Sequence, residues 1–364
     1  MRPVSSPVMA WRSFGFVAIF SATIGAQKIA WAAADPEPAS SDPKAITMII
    51  GYPAGGGVDA TGRLISQFLT KYLPGNPAVV IKNMPGADGR VALNFFVRQV
   101  KPDGLTLTTG SSTQLDPRNY RVSTAQYDPT KFNFVGGISR GGTFQVISMA
   151  GEQRLMDKTA PPVPVGAVDG TRSGEQMTSW GMEFLDWNAK WVVGYRGASE
   201  TTIALERGEV DIASTSNSFL IKRLTDTGKY KLLSQSGIVV DGKLRRRTDF
   251  ADTPVMGELI ASVLTDKGAR DAFNYWEAIC LMDPWVALPP ETPVAMVTTY
   301  REAFDKIAAD PEFIEKGKRI SEDIAPMTHA DIEGLVKTAA ERLTPEAEAF
   351  IRVMHTKQGP RPKE

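Results

Sequence analysis

The chain has 364 residues, enough for two domains of ordinary size, each with its own core. Its 41 basic and 41 acidic side chains cancel, which excludes an overall field attracting nucleic acid or an anionic membrane. A single cysteine excludes an internal disulfide, and neither an HExxH motif nor a cysteine-rich pattern points to a transition metal.

The N-terminal stretch has the pattern of an export signal. Basic residues are followed by the mostly apolar run 13–26, and small residues at 30–34 suit a signal peptidase. We therefore expect residues 1–34 to be a removed signal peptide, with an uncleaved anchor as the alternative. Residues 35–44 are expected to form a disordered tail. These features predict a periplasmic protein.

The first strand-to-helix unit contains three consecutive glycines. Residues 46–50 are apolar and β-branched, as in a strand buried on both faces, and apolar residues recur at helical spacing from Ala60 to Tyr72. The stretch between them, GYPAGGGVDATGR at 51–63, is predicted to be the connecting turn. The N–H groups that open a helix, without nearby Cβ atoms, can bind an anion. The alternative is that Gly55–Gly57 only permit a tight connection.

The same pattern occurs twice more in the N-terminal half. A strand at 78–81 precedes NMPGADGR at 83–90, and a strand at 105–109 precedes the turn 110–112. This alternation predicts an α/β fold with doubly wound parallel sheets. Ligands of such folds bind beyond the carboxyl ends of the strands, where these turns lie.

A second domain is predicted beyond residues 134–149, which we interpret as the first crossing between domains. Its strands enter polar turns at three places: VDGTRSGE at 168–175, RGASET at 196–201 and STSNSF at 214–219. The proline-rich passage 283–293 returns the chain.

We therefore predict that domain 1 comprises 45–140 plus 285–364 and that domain 2 comprises 141–284. Two crossings make a hinge suited to opening and closing. The basic run Arg245–Arg247 is interpreted as a solvated loop.

The sequence offers few residues in a pattern suited to catalysis. A serine or cysteine nucleophile needs a nearby base, and the two histidines, His329 and His355, lie far in sequence from every glycine turn. An enzyme is the weaker class, and we expect no metal and no cofactor. The enzyme alternative is a secreted two-domain α/β protein that uses Asp59 or Asp169 as a general base.

With these turns identified, the sequence resembles the extracytoplasmic solute receptors of tripartite tricarboxylate transporters, also called Bug receptors. The matching stretches, in family order, are ITMIIGYPAGGGVDATGRLISQFL, VVIKNMPGADGRVALNFF, KPDGLTLTTGSS, YDPTKFNFVGGIS, VVGYRGASETTIALERGEVDIA and WVALPPETPVAMVTTYREAFDKIAADPEF. They cover most of the mature chain. The pairing of a PxGGxxD turn with a later NxPGAxG turn is specific.

The resemblance implies a two-domain, hinged periplasmic binding protein of type II. Such a receptor captures a small carboxylate with backbone donors and delivers it to a membrane permease of one small and one large subunit. We expect a monomer. A ligand-sensing partner of a membrane signalling protein is the alternative on the same fold. The ligand-binding residues that the resemblance implies are Tyr52, Pro53, Ala54, Gly55, Gly56, Gly57, Asp59, Gly86, Ala87, Ser111, Ser112, Gly170, Thr171, Arg172, Ser173, Tyr195, Arg196, Gly197, Ala198, Ser216 and Asn217.

The sequence departs from the family pattern at several of these positions. Gly57 stands where many relatives carry serine or threonine, and Asp88 interrupts a turn of small residues. Arg172 is not typical of its turn, and residues 255–278 are interpreted as an extra helical pair. Arg172 and Arg196 are each expected either to contact the ligand or to pair with a nearby carboxylate such as Glu175 or Glu200.

Overall fold

The computed structural model describes residues 45–240, 243–280, 284–321 and 324–360. The predicted signal peptide, residues 1–34, and the predicted tail, residues 35–44, lie outside the described residues. Within the described part, no helix is both long and apolar enough to cross a bilayer.

Strands and helices alternate along most of the described chain, as the apolar periodicities predict. The strands are β1 (Ile46–Ile50), β2 (Val79–Asn83), β3 (Thr106–Gly110), β4 (Asn133–Ser139), β5 (Phe144–Ser148), β6 (Val163–Ala167), β7 (Ala189–Val193), β8 (Ile212–Thr215), β9 (Tyr230–Gln235), β10 (Ile238–Val240), β11 (Lys243–Arg245), β12 (Trp285–Leu288) and β13 (Ala325–Thr328). The helices are α1 (Gly57–Tyr72), α2 (Arg90–Gln99), α3 (Ser112–Leu115), α4 (Pro117–Tyr120), α5 (Met149–Leu155), α6 (Ser173–Phe184), α7 (Ala198–Glu206), α8 (Ser218–Thr225), α9 (Met256–Ile260), α10 (Lys267–Cys280), α11 (Val294–Ala308), α12 (Pro311–Gly317), α13 (His329–Arg342) and α14 (Pro345–Gln358).

The larger sheet has six strands in the order β13-β4-β12-β3-β1-β2. The central strand β1 is parallel to both β2 and β3, with Met48 opposite Ile81 and Leu107. Met48 and Ile49 are buried on opposite faces of β1, as predicted for this strand. β12 runs antiparallel to β3 and β4, because the chain re-enters this sheet from the second one. The predicted α/β class is confirmed, and the sheet is mixed rather than purely parallel.

The smaller main sheet has five strands in the order β7-β6-β8-β5-β9. β6 is parallel to β7 and β8, whereas β5 is antiparallel to β8 and β9. The chain thus passes from one sheet to the other between β4 and β5 and returns before β12. In both sheets, neighbouring parallel strands end at the same edge, which gathers their polar turns.

Helices α9 and α10 occupy the predicted extra helical pair. On α10, Trp276 Nε1 donates to Ser173 O at 3.0 Å, at the start of α6. The neighbouring Tyr275 Oη donates to Asp116 Oδ1 at 2.5 Å, just beyond the larger sheet's β3 and α3. One helix therefore contacts polar groups that follow strands of both sheets.

The C-terminal helix α14 packs on elements that the sequence assigns to domain 2. Phe350 stacks on Trp180 of α6, with ring centroids 6.0 Å apart. In addition, Trp191 Nε1 on β7 donates to Gln358 O at 2.6 Å. The predicted domain boundaries remain a prediction, but α14 completes the apolar core around the fully buried Trp180.

The prediction of a solvated loop at Arg245–Arg247 is wrong for Arg247, whose side chain is fully buried. Its guanidinium pairs with Asp249 at 2.6 Å and donates to Ser216 O at 3.0 Å and to Ser218 Oγ at 2.6 Å. A buried charge is tolerated only when its donors are paired in this way. Arg247 thereby fixes the chain that follows β8.

Candidate functional site

A cleft lies at the carboxyl ends of strands from both sheets. It follows β1 and β3 of the larger sheet and β6, β7 and β8 of the smaller one, and encloses about 740 Å³ including its open mouth. Its position beyond the carboxyl ends of the strands is typical of a small-molecule site. The lining residues are Tyr52, Pro53, Gly56, Gly57, Val58, Ser111, Ser112, Thr113, Arg140, Thr143, Gly166, Arg172, Ser173, Gly174, Glu175, Gly197, Ala198, Ser199, Thr201, Ser214, Thr215 and Ser216.

The glycine turn after β1 presents the N-terminus of α1 to this cleft. Gly56 is the N-cap residue, and no described side chain caps it. The buried carboxylate of Asp59 lies outside the cleft lining and accepts hydrogen bonds from Gly55 N at 2.9 Å and Asn83 Nδ2 at 2.8 Å. Burial opposes ionisation of Asp59, but hydrogen bonds from Arg63, Asn83 and Gly55 outweigh it and lower its pKa. Asp59 therefore shapes the turn.

Two further helices of the smaller sheet begin at the cleft in the same way. Arg172 is the N-cap residue of α6 and Gly197 that of α7, and no described side chain caps either helix. The contrast is α8, where Asn217 Oδ1 accepts the N–H of Leu220 at 3.2 Å. Because the first N–H groups of a helix lack intrahelical partners, α1, α6 and α7 bring three sets of donors and three positive dipole ends to the cleft.

Arg172 connects the two sides of the cleft. Its Nε lies 3.4 Å from Asp88 Oδ1, and its guanidinium carbon lies 5.1 Å from the ring centre of Tyr52. Asp88 and Tyr52 follow strands of the larger sheet, whereas Arg172 follows β6 of the smaller one. Arg172 thus pairs with a nearby carboxylate, as the alternative to ligand contact expected, and the carboxylate in this ion pair is Asp88.

Asp88 is held in an unusual environment for a carboxylate. Its side chain is 2% exposed, and its backbone has a φ of 49°, in the left-handed region. Burial raises the pKa of Asp88, and Arg172 partly opposes that rise. The ion pair with Arg172 thus favours the charged form of Asp88, which burial disfavours.

A network of hydrogen bonds beneath the cleft holds in place the residues that follow strands of the larger sheet. Tyr52 Oη and Ser111 Oγ share a hydrogen bond of 2.6 Å, and Gln114 Nε2 donates to Tyr52 Oη and to Asp88 O. Trp285 Nε1 donates to Ser111 O at 2.8 Å. Burial raises the pKa of Tyr52, so its hydroxyl stays protonated and available for these bonds.

Glu175 occupies the first turn of α6 and lines the cleft. Its two carboxyl oxygens accept the N–H groups of Val168 and Gly170, each at 2.8 Å. Burial raises the pKa of Glu175 to about 7, although Arg172 and the backbone donor of Val168 oppose the rise. This carboxyl therefore changes its charge near neutral pH, next to the site where an anion would bind.

The cleft brings together part of the predicted site. The predicted residues among its lining are Tyr52, Pro53, Gly56, Gly57, Ser111, Ser112, Arg172, Ser173, Gly197, Ala198 and Ser216. Those that lie outside the lining are Ala54, Gly55, Asp59, Gly86, Ala87, Gly170, Thr171, Tyr195, Arg196 and Asn217. Ligand contact itself stays a prediction for every one of them.

The residues outside the lining mostly support the turns. Arg196 forms an ion pair with Glu200, as the alternative interpretation of this arginine expected. Gly170 N donates to Glu175, and Asp169 Oδ1 accepts from Thr171 N at 2.9 Å. Among the described residues, neither Asp59 nor Asp169, the general bases of the enzyme alternative, lines the cleft.

Sequence reasoning missed several lining side chains, of which Arg140 and Glu175 carry charge. Arg140 directly follows β4, in the stretch interpreted only as a crossing between domains. Like the predicted turns, Arg140 directly follows a strand, and this position was the signal from which its place in the lining could have been predicted. Thr143 immediately precedes β5 and leaves no motif in the sequence, whereas Ser214 lies on β8 and opens the polar stretch 214–219 but was not among the predicted site residues.

Comparisons with known proteins agree with this architecture. No family model matches the chain. A curated UPF0065 protein of Bordetella bronchiseptica is 35% identical over 86 residues, which are 24% of this chain and 25% of the relative's length. The match thus spans about a quarter of that relative.

Solved structures match over nearly their whole length. The periplasmic binding protein BugD has a TM-score of 0.64 at 19% identity, covering 87% of this chain and 99% of BugD. An R. palustris protein solved with adipate has a TM-score of 0.63 at 18% identity, covering 87% and 98% of the two chains. MatC from Rhodopseudomonas palustris, solved with bound malate, has a TM-score of 0.63 at 15% identity, covering 84% and 99%.

These matches confirm the predicted resemblance. At such identities the structural likeness shows the fold, which is that of periplasmic binding proteins of type II.

Proposed function

We propose that this protein is an extracytoplasmic receptor that captures a small organic acid in the cleft and delivers it to a tripartite tricarboxylate transporter. The observation that carries the proposal is the convergence of α1, α6 and α7 on one cleft, each with an N-terminus that no described side chain caps. Donors and positive dipole ends that no described side chain caps are suited to an anionic ligand.

The expected contributions to the binding free energy are large enough for micromolar affinity. Each helix N-terminus stabilises a partly buried anion by up to about 2 kcal/mol, and a charge-assisted hydrogen bond contributes about 1.5 to 3 kcal/mol. A micromolar site needs about 8 kcal/mol net. Three N-termini with one or two of the lining arginines, Arg140 and Arg172, reach this range.

The ligand class follows from the charge and from the structural relatives. The R. palustris protein and MatC, which share this fold, were solved with dicarboxylates, adipate and malate respectively. We infer that the ligand here is likewise a small carboxylate. The chain closes on it as a monomer in the periplasm, with 45–140 plus 285–364 and 141–284 as the hinged domains and without a cofactor.

The test removes one backbone donor at a time. Ala198 is the first residue of α7, and proline at this position lacks the N–H yet tolerates the helical conformation. The preceding Gly197 is extended, as the residue before a proline must be. We expect Ala198→Pro to weaken adipate or malate binding about tenfold in isothermal titration, the loss of one hydrogen bond to a charged group.

A matched control is Val294→Pro, at the first position of α11 and outside the cleft lining, which should leave the affinity unchanged. If the wild-type protein binds neither these two acids nor any member of a panel of mono-, di- and tricarboxylates, the ligand class is wrong. Equal losses from both proline variants would show that helix damage, rather than a missing donor, weakens binding.

The membrane partner is tested separately by uptake of labelled ligand in cells. Deleting the gene of this protein and deleting those of the permease subunits should abolish the same uptake. Uptake that survives loss of the permease would instead favour the signalling alternative.

A further inference from the structure

Gln176, the fourth residue of α6, has a side chain that is hydrogen-bonded at both ends of its amide. Its Nε2 donates to Thr171 O, and its Oε1 accepts from Arg118 Nη2 at 3.2 Å. Gln176 is buried, with 7% of its surface exposed. Because a carbonyl only accepts and a guanidinium only donates, both bonds form in one orientation of the amide only. Gln176 therefore links the turn before α6 to Arg118.

Arg118 comes from the other side of the cleft. It lies on α4, after β3 of the larger sheet, whereas Gln176 lies on α6, after β6 of the smaller one. Asp116 pairs with the Arg118 guanidinium at 2.6 Å and accepts the backbone N–H of Arg118 at 2.8 Å. Tyr275 Oη donates to the same carboxylate at 2.5 Å, and Asp116 is 1% exposed. This buried carboxylate fixes the guanidinium in the position from which Nη2 also reaches Gln176.

Both ends of this contact continue into the cleft lining. On the side of the larger sheet, Asp116 N donates to Ser112 O at 3.1 Å, and Ser112 lines the cleft. On the side of the smaller sheet, Thr171 directly precedes the lining residues at 172 and 173. The two side chains that bond to each other are not among the described residues of the lining. Their hydrogen bond thus joins two lining segments without lying in the cleft itself.

The two lining segments contact each other only weakly at their closest hydroxyl groups. Ser112 Oγ and Ser173 Oγ lie 3.5 Å apart, which is longer than a strong hydrogen bond between hydroxyl groups. Their relative position therefore depends on contacts outside the cleft, and the Arg118–Gln176 hydrogen bond is one of these.

We propose that Arg118 and Gln176 are a pair of positioning residues, whose hydrogen bond holds the lining segments 111–113 and 172–173 at the spacing that the ligand needs. The inference rests on the proposed function and deepens it. With the predicted domain boundaries, Arg118 belongs to domain 1 and Gln176 to domain 2, so their bond favours the closed arrangement. The charge of Arg118 is paired with Asp116, so Arg118 acts through geometry rather than by attracting the anion.

A double-mutant cycle tests the pair, with adipate and malate as the probes in isothermal titration at fixed pH and salt. Gln176→Met keeps the length of the side chain and removes both of its hydrogen bonds. Arg118→Lys keeps a positive charge beside Asp116 but lacks the planar fork that reaches Gln176. Each variant should raise the Kd about tenfold, the loss of one hydrogen bond to a charged group. In the Gln176→Met background, Arg118→Lys should change the Kd by less than about threefold.

The rate constants of binding distinguish positioning from a contribution to stability alone. Loss of a contact that holds the bound arrangement should raise the dissociation rate constant about tenfold and leave the association rate constant within about threefold, measured by stopped-flow fluorescence. A pair with a purely structural role would lower the melting temperature and leave both rate constants of the folded protein unchanged.

A second arginine–glutamine pair provides the matched control. Arg98 Nη1 donates to Gln126 Oε1 at 2.7 Å, and both residues are exposed and outside the cleft lining. Arg98→Lys and Gln126→Met should therefore bind as the wild type does. If Arg118→Lys fails to fold, Gln176→Met tests the proposal by itself, because it leaves the ion pair of Asp116 in place.

The outcomes separate this inference from the proposed function. Carboxylate binding by the wild type, with either an unchanged Kd in Gln176→Met or additive effects of the two substitutions, overturns the roles of Arg118 and Gln176 only. Unchanged rate constants together with a lowered melting temperature overturn these roles as well. Absence of carboxylate binding by the wild type overturns both proposals. A non-additive cycle with faster dissociation supports both.

Discussion

Replacing Asp88 by asparagine should destabilise the protein and, at the same time, tighten its binding of an organic acid. Asparagine has nearly the same shape and tolerates the left-handed backbone, φ 49°, as readily as aspartate does. The substitution therefore removes the charge that faces Arg172 and little else. We expect opposite signs because, in the proposed function, Asp88 and the ligand compete for the cation of Arg172.

The size of the stability effect follows from the ion pair's geometry. At 3.4 Å, with an effective dielectric constant of about 20, the attraction is about 5 kcal/mol before desolvation. Asp88 is 2% exposed and Arg172 18%, so desolvation offsets much of this attraction. We expect a net loss of about 1 to 3 kcal/mol in the free energy of unfolding, measured by urea denaturation without ligand.

The affinity effect is measured by isothermal titration with adipate and malate. Once Asp88 is uncharged, Arg172 can give its donors to the ligand, and we expect the Kd to fall about tenfold. The control is Asp186→Asn, which also has a positive φ, 57°, but whose side chain is 91% exposed. Unchanged stability, or weaker binding, in Asp88→Asn would refute the competition between Asp88 and the ligand.

Three further predictions concern single side chains. Glu175→Gln should flatten part of the dependence of the unfolding free energy on pH. In the native state the Glu175 carboxyl keeps its proton to about pH 7, whereas an ordinary glutamate loses it near pH 4.5. The native state therefore binds more protons than the unfolded state between these values, and the unfolding free energy falls by about 3 kcal/mol as the pH rises from 4.5 to 7. Urea denaturation of both proteins from pH 4.5 to 7.5 checks this, and parallel profiles would contradict it. Gly136→Ala should lower the unfolding free energy by about 1 to 3 kcal/mol, because the new Cβ would lie 2.3 Å from the Phe304 ring, and an unchanged urea midpoint would argue against this. Tyr275→Phe should lower the unfolding free energy in urea denaturation by about 1 to 2 kcal/mol, because it removes the 2.5 Å hydrogen bond to Asp116. An equally stable variant would mean that Asp116 does not need this hydrogen bond.

The strand-turn-helix units of this protein could be predicted from the sequence because they are local. The apolar run of β1, the glycines after it and the amphipathic pattern of α1 lie within 27 consecutive residues, 46–72. Backbone conformation and helix periodicity act over that range, so the α/β class and the positions of the polar turns followed. The antiparallel direction of β12 could not be predicted in this way, since strand direction depends on partner strands far along the chain.

The composition of the cleft could be predicted only in part. Turns at strand ends supplied lining residues such as Ser111 and Ser173, whereas Arg140 follows β4 in a stretch that was interpreted only as a crossing between domains. The burial of Arg247 contradicted its basic context, because its partners come from separate parts of the chain. A charged side chain is solvated by default, and only distant donors and acceptors can change that outcome.

The sequence by itself determined where helices would begin with exposed N–H groups, since glycine content and apolar spacing decide this within a few residues. Only the tertiary structure decided which of those N-termini face one another and which charges lie between them. Asp88 and Arg172 are brought to 3.4 Å, and Arg140 fills the space beside Gly57, because packing of two sheets places segments side by side irrespective of their separation in the chain. Electrostatic energy depends on distance in space, and a sequence specifies that distance only through the complete fold.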